Sequence, residues 1–279
     1  CDLSFSNLCS WRFLYDTQYA VIDNFLVFKF WAGEQLAYMM PVGSGDLKAV
    51  LRELIEDADK EKHNFCMLGV CSNMRADLEA ILPGQFTFTE NRDYADYIYL
   101  RSDLATLKGK KFQAKRNHIN RFRNTYPDYE YTPITPDRIQ ECLDLEAEWC
   151  KVNNCDQQEG TGNERRALIY ALHNFEALGL TGGILHVNGK IVAFTFGMPI
   201  NHETFGVHVE KADTNIDGAY AMINNEFANH IPEQYIYINR EEDLGLEGLR
   251  KAKLSYQPVT ILEKYMACLK DHPMDIIRW

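Results

Sequence analysis

The sequence predicts an α/β (α+β) protein in which one mixed architecture occurs twice. Three observations carry that expectation. The first hundred residues read, in order, as helix, three strands, helix, strand, helix and two strands. The second half repeats that grammar at a spacing far above that of solenoid repeats, which points to a duplicated domain. Between the halves lies a basic stretch, residues 108–123, near the midpoint of a 279-residue chain.

In order, residues 6–15 read as a short helix holding Trp11 and Phe13, followed by strands at 18–23, 25–31 and 35–41. Asp46 is placed to cap an amphipathic helix over 47–62 that buries Val50, Leu51, Leu54, Ile55 and Ala58. A strand at 65–70 and a helix over 73–82 follow, the helix stopped by Pro83-Gly84; strands at 85–90 and 94–100 close the half. The second half opens with a strand at 129–132, a helix over 138–150 and a polar loop at 153–163 carrying Gly160 and Gly162. A helix over 164–178 ends at Gly179. Strands at 181–187, 190–198 and 203–209 follow, the first two joined by a hairpin turn at Asn188-Gly189. A helix at 219–231, a strand at 234–239, a short helix at 246–253 and a strand at 259–267 complete the reading.

The basic stretch holds seven Lys/Arg in sixteen residues and no Asp or Glu, in a chain of formal net charge −11. Such an island attracts phosphates, or else is a helix face set against acidic neighbours of the same chain. Phe112, Ile119 and Phe122 share one helical face, and Lys108, Lys111, Lys115 and His118 form a second ridge. Ser102 and Asp103 offer caps, Gly109 delays the regular helix, and Tyr126-Pro127 ends it. The domains expected are 1–103, a basic connecting helix at 104–126, and 127–279.

Composition narrows the function classes. Hydrophobic residues reach 46%, with 15 Tyr and 15 Phe, enough for one or two packed cores. No apolar run approaches the ~18 residues of a membrane span, and no signal-peptide pattern is read. The eight cysteines form no CxxC pair, so free thiols in a reducing, cytoplasmic compartment are expected. No His/Cys spacing suits zinc, so no metal is expected. Neither a G-x-x-x-x-G-K-[ST] nor a G-x-G-x-x-G pattern occurs, against P-loop and dinucleotide readings.

Two stretches carry residue types suited to chemistry. After the strand ending near Val209, Glu210 and Lys211 lead to Gly218, Ala219 and Tyr220 at a helix start, where free amides and the helix dipole could hold an anion. The plain alternative is an ordinary strand-to-helix turn. Glu210 could deprotonate an amine nucleophile, the alternative being a structural lone carboxylate. The second stretch, Asn239 to Lys253, starts with Asn239 and Arg240 at a strand end, where open α/β sheets collect ligands. There Asp243 or Glu242 could accept a proton, and Arg250 and Lys253 could hold an anionic group, unless they form a surface ion-pair network. His173 reads as a packed or half-exposed histidine rather than a catalyst, and Ser255 and Tyr256 have no His/Asp pattern beside them.

Leu107-Lys108-Gly109-Lys110, then Arg116-Asn117 and Asn120-Arg121-Phe122, together with Gly248-Leu249-Arg250, Lys253 and Tyr256-Gln257-Pro258, resemble the phosphatidylglycerol lysyltransferase C-terminal-domain family. The element order resembles the GNAT acyltransferase fold in tandem, as in the related Fem-type aminoacyltransferases. The resemblance implies two mixed, mostly antiparallel sheets flanked by helices. It implies an acyl- or aminoacyl-transferase taking aminoacyl-tRNA or acyl-coenzyme A as donor, with an amine or hydroxyl acceptor and no tightly bound cofactor. It places the site in the second copy, lined by Lys211, Arg250, Lys253 and Asp243 or Glu242. Taken with the residue reading, Glu210, Asp243 and Lys253 are the catalytic candidates and Lys211, Arg250 and the Gly218 turn the substrate-binding ones. Lys115, Arg116, Asn120 and Arg121, on a helix bridging the copies, would hold the nucleic-acid or phosphate part of the donor. The rival reading is a non-catalytic tandem module that recognises RNA, peptide or an anionic surface.

Overall fold

A computed structural model describes residues 2–153 and 159–270. Its elements begin with α1 (Phe5–Ser10), α2 (Arg12–Tyr15), β1 (Gln18–Ile22), β2 (Phe25–Ala32), β3 (Gln35–Tyr38), β4 (Val42–Gly43) and α3 (Leu47–Lys60). Next come β5 (Cys66–Val70), α4 (Ser72–Ile81), β6 (Phe86–Glu90), β7 (Asp96–Leu100), α5 (Arg101–Thr106) and α6 (Gln113–Thr125). Then follow β8 (Glu130–Pro133), α7 (Ile139–Asn153), α8 (Glu159–His173), β9 (Thr181–Val187), β10 (Lys190–Pro199) and β11 (Thr204–Ala212). The last are α9 (Ala219–His230), β12 (Tyr237–Asn239), α10 (Glu247–Leu254), β13 (Thr260–Leu262) and β14 (Tyr265–Leu269).

Local rules account for several of them. Asp46 accepts the Ala49 amide at 3.1 Å and caps α3, whose buried side is Val50, Leu51, Leu54, Ile55 and Ala58, as its spacing predicts. Asn188 and Gly189 both take positive φ, +50° and +73°, the conformation that a tight hairpin between β9 and β10 requires.

The chain folds into two compact units. The smaller, Trp11–Ala95 with the chain from Leu262 on, carries a sheet in the order β1-β2-β3-β5-β14-β6, with β4 on β2. Its core joins α3 to that sheet through Leu51, Leu54, Tyr38, Phe65 and Met67. The larger, the chain up to Ser10 with Asp96–Ile261, carries the order β13-β7-β12-β11-β10-β9-β8. β3 runs parallel to β5 and β11 parallel to β12, beside antiparallel neighbours in both sheets. These are the two mixed, mostly antiparallel sheets with flanking helices that the sequence leads one to expect.

Four expectations are corrected. The units are not contiguous halves, because β7 enters the larger sheet and β14 returns to the smaller one, between β5 and β6. The expected final strand at 259–267 is accordingly two strands, β13 and β14, in different sheets. The basic helix is no connector: Phe112, Ile119 and Phe122 are buried with Leu185, Ala193 and Met222 inside the larger unit. Gly160 and Gly162 lie in α8 rather than in a loop, while residues 154–158 of that expected loop fall outside the described residues.

The cysteines are a fifth correction. Cys66 and Cys268, 202 residues apart, are directly paired on β5 and β14, with Cα atoms 4.1 Å apart and a disulfide between them. Strand register brings the two thiols face to face, which no local spacing reveals. Cys150 is also disulfide-bonded, whereas Cys9, Cys71 and Cys142 are not in disulfides. Cys1 and Cys155 lie outside the described residues.

Candidate active site at the divergence of two strands

β11 and β12 pair only from Thr204–Gly206 against Tyr237–Asn239, yet β11 runs on to Ala212. Among the described residues no strand lies beside the last six residues of β11 on that edge, and side chains bridge the gap instead. Arg240 donates from Nη2 to Glu210 Oε1 at 2.9 Å, and Asn224 of α9 donates to Glu210 Oε2 at 3.1 Å. Arg240 Nη1 and Asn224 Oδ1 are both buried and have no hydrogen-bond partner. One donor and one acceptor therefore stand unsatisfied on either side of a single carboxylate, and buried orphans of this kind are rare in folded proteins.

The cationic side of this group is layered on aromatic rings. Lys115 of α6 places Nζ 3.8 Å from the centre of the Tyr256 ring, and the Arg240 guanidinium lies 5.0 Å from the same ring and 5.6 Å from Tyr99. Burial, and then the charge of Arg240, push the Lys115 ammonium down to about 8. Burial also raises the Tyr256 and Tyr99 phenols, so both stay neutral. Tyr99 donates to the Lys253 carbonyl at 2.9 Å, which fixes the ring against the end of α10.

Of the expected residues, Glu210, Arg240 and Lys115 thus converge. Lys253 lies beside them, but its ammonium is buried and donates to the carbonyls of Arg240 and Glu242, clasping the turn after β12. Burial and Arg240 lower it to about 8. Asn239 is a brace: its amide donates to Asp96 and its carbonyl oxygen accepts the Glu241 amide, each at 2.8 Å.

The others serve elsewhere. Asp243, fully buried, accepts two bonds from Arg250, one from Tyr97 and one from the Gly245 amide. The Arg250 guanidinium above all holds its carboxyl well below the usual range, which makes Asp243 a poor proton acceptor. Lys211 points to the opposite face of β11 from Glu210, as strand alternation demands, and pairs with Glu164 at 2.8 Å over the Trp149 ring at 3.6 Å. Tyr220 belongs to that second group, accepting the Trp149 indole N–H at 3.2 Å.

At Gly218, φ is +82° and a Cβ would meet the His118 carbonyl oxygen of α6 at 3.0 Å. The Ala219 amide donates to the Ile216 carbonyl, and the His118 carbonyl lies over the Gly218 turn. Arg116 donates to the Leu107 and Gly109 carbonyls and braces the approach to α6. Arg121 forms an exposed pair with Asp217 at 2.9 Å. Asn120 lines a separate polar groove of about 360 Å³ with Arg116, Arg123, Asn225 and Asn229.

Asn224, Tyr99, His208 and Glu241 are absent from the residues singled out in the sequence. A signal existed for His208: with Glu210 it places polar residues at alternate positions among Phe205, Val207 and Val209.

The two mixed sheets with flanking helices have the tandem GNAT-like fold. The profile described as phosphatidylglycerol lysyltransferase, C-terminal, matches residues 1–268, and the chain belongs to that family. A crystal structure of a conserved protein of unknown function from Bacteroides thetaiotaomicron is 95% identical, with TM-score 0.95, over 97% of this chain and 91% of that one. The C-terminal domain of a putative lysylphosphatidylglycerol synthetase from Agrobacterium fabrum, 14% identical, superposes with TM-score 0.71 over 96% and 88%. FemX, 8% identical, shares the fold at TM-score 0.62 over 92% and 89%. An uncharacterised protein of Mycoplasmoides gallisepticum is 26% identical over 175 residues; the match spans 61% of this chain and 55%, about half, of that curated relative. Among the described residues no helix is long and apolar enough to cross a membrane.

Proposed function

We propose that the chain transfers an aminoacyl or acyl group from an anionic donor, aminoacyl-tRNA or acyl-coenzyme A, to an amine or hydroxyl acceptor, at the gap between β11 and β12. The observation that carries this reading is Arg240: it is fixed by Glu210, stacked near two tyrosines, and keeps one buried guanidinium nitrogen unpartnered. A rigid, desolvated cation with a spare N–H suits an oxyanion that develops on a carbonyl under attack. Lys115 adds a second charge within the same aromatic setting. The family description supplies the first substrates to try, a lysyl group and phosphatidylglycerol.

The test is transfer of labelled lysine from lysyl-tRNA to phosphatidylglycerol vesicles, run beside acetyl transfer from acetyl-coenzyme A to a panel of amines. Arg240→Lys keeps the charge but loses the fork and is expected to lower kcat on the order of 10²–10³-fold. Wild-type protein without turnover on either donor, together with no thermal shift from them, would refute the assignment and leave the binding-module reading.

A further inference from the structure

A second pair of side chains spans the same gap, and none of the roles above uses it. His208 Nδ1 lies 2.7 Å from Glu241 Oε1, which also accepts Asn7 Nδ2 of α1 at 2.8 Å. The His208 ring is 4% exposed, and its Nε2 is buried with no hydrogen-bond partner.

Three irregularities meet at this pair. β11 carries a bulge there: Val207 is paired with Gly197 and Val209 with Phe196, so His208 has no residue opposite it. Bulges re-aim side chains and recur beside active sites. Glu241 is a non-glycine residue at φ +58°, a conformation held only when the surroundings impose it. The unpartnered Nε2 is the third, since a buried polar atom left unpaired is costly without an occupant. Burial opposes the charge on Glu241, yet His208 and Asn7 keep its carboxyl below the usual range, so it stays a carboxylate that accepts a hydrogen bond from Nδ1–H.

The other acids named as candidates are poorly suited to accept a proton. Glu210 is held by Arg240 and Asn224, and Asp243 by Arg250 and Tyr97. We propose that His208, oriented by Glu241 and Asn7, is the general base of the transfer; this rests on the transferase reading above. The Nε2 lone pair takes the N–H or O–H proton of the acceptor while the acceptor's nitrogen or oxygen bonds to the donor's carbonyl carbon. As the C–O or C–S bond of the donor breaks, the leaving alkoxide or thiolate recovers that proton from Nε2, which restores the neutral ring. Glu241 stays ionised throughout and holds the Nδ1–H tautomer.

The experiment pairs kinetics with a measurement independent of turnover. With whichever of lysyl-tRNA and acetyl-coenzyme A the wild type consumes, His208→Asn and His208→Gln are expected to lower kcat on the order of 10²–10⁴-fold with little change in KM. Thermal melting confirms that the variants are folded. Long-range ¹H–¹⁵N NMR of the wild type, assigned by the loss of a signal in His208→Asn, is expected to show Nδ1 protonated and Nε2 bare at neutral pH. An Nε2–H tautomer, or an active wild type whose folded His208 variants keep its kcat, overturns this role alone. A wild type that transfers neither group overturns the transferase reading and this role with it.

Discussion

Arg250 grips Asp243 with two hydrogen bonds, Nε to Oδ2 at 2.8 Å and Nη2 to Oδ1 at 2.7 Å, and the carboxylate it holds is fully buried. The loop between β12 and α10 is built around this fork, with Tyr97 and the Gly245 amide as further donors to Asp243. Charged residues that look catalytic in sequence form, in the fold, a strut beneath the site.

The strut fixes the sign of an acid effect. Because the carboxyl of Asp243 sits below its unfolded value, the unfolded chain binds more protons as pH drops. Its stabilisation is complete above the ordinary carboxylate range near 4 and is lost as pH falls through the lower folded value. Urea titrations from pH 6 to pH 2 are expected to fall more steeply for wild type than for Asp243→Asn. At pH 7 the variant is expected to be less stable by about 3–5 kcal/mol, the cost of breaking a buried pair. A variant of wild-type stability at pH 7 would contradict the strut.

Lys115 predicts the opposite trend at high pH. With its ammonium lowered to about 8, the folded protein binds fewer protons than the unfolded chain up to about 10.4, so stability rises with pH across that window. Lys115→Met is expected to remove that share of the rise, leaving the share of Lys253, and to be more stable at pH 7. The gain is on the order of 1–2 kcal/mol once solvent screening of a half-buried group is allowed for. Reductive ¹³C-methylation and NMR titration would read the shifted ammonium directly.

Gly197 holds the bulge that carries His208. A Cβ there would lie 1.8 Å from the Gly206 carbonyl oxygen, a backbone atom that cannot swing aside. Gly197→Ala is therefore expected to cost about 3 kcal/mol in urea unfolding, the upper end of the usual overpacking range. Tolerance of the methyl group would mean that the strands part more easily than their register implies.

The Cys66–Cys268 bridge closes a loop across 202 residues of sequence and ties β14 to β5. Cys268→Ser is expected to lower stability by about 2–5 kcal/mol in oxidising buffer. Dithiothreitol should bring the wild type close to the variant. Equal stability of the two in oxidising buffer would show that strand pairing alone retains β14.

The sequence by itself determined what depends on neighbours three, four or two residues away. That covers the buried stripe of α3, the apolar side of the basic helix at Phe112, Ile119 and Phe122, and the Asn188-Gly189 turn. It also brought Glu210, Arg240 and Lys115 to notice, since charges at strand ends and on a basic helix are visible without coordinates.

Only the tertiary structure decided which charges face one another. It exchanged β7 and β14 between the sheets, placed Lys211 on the far face of β11 from Glu210, and roofed the Gly218 turn with the His118 carbonyl. It also buried Asp243 under Arg250 and left His208 Nε2 without a partner. The reason is physical: helical and strand periodicities encode which side of an element is buried, whereas strand order and register join residues hundreds of positions apart. A side chain's protonation and partners follow from that second kind of contact, which local patterns do not carry.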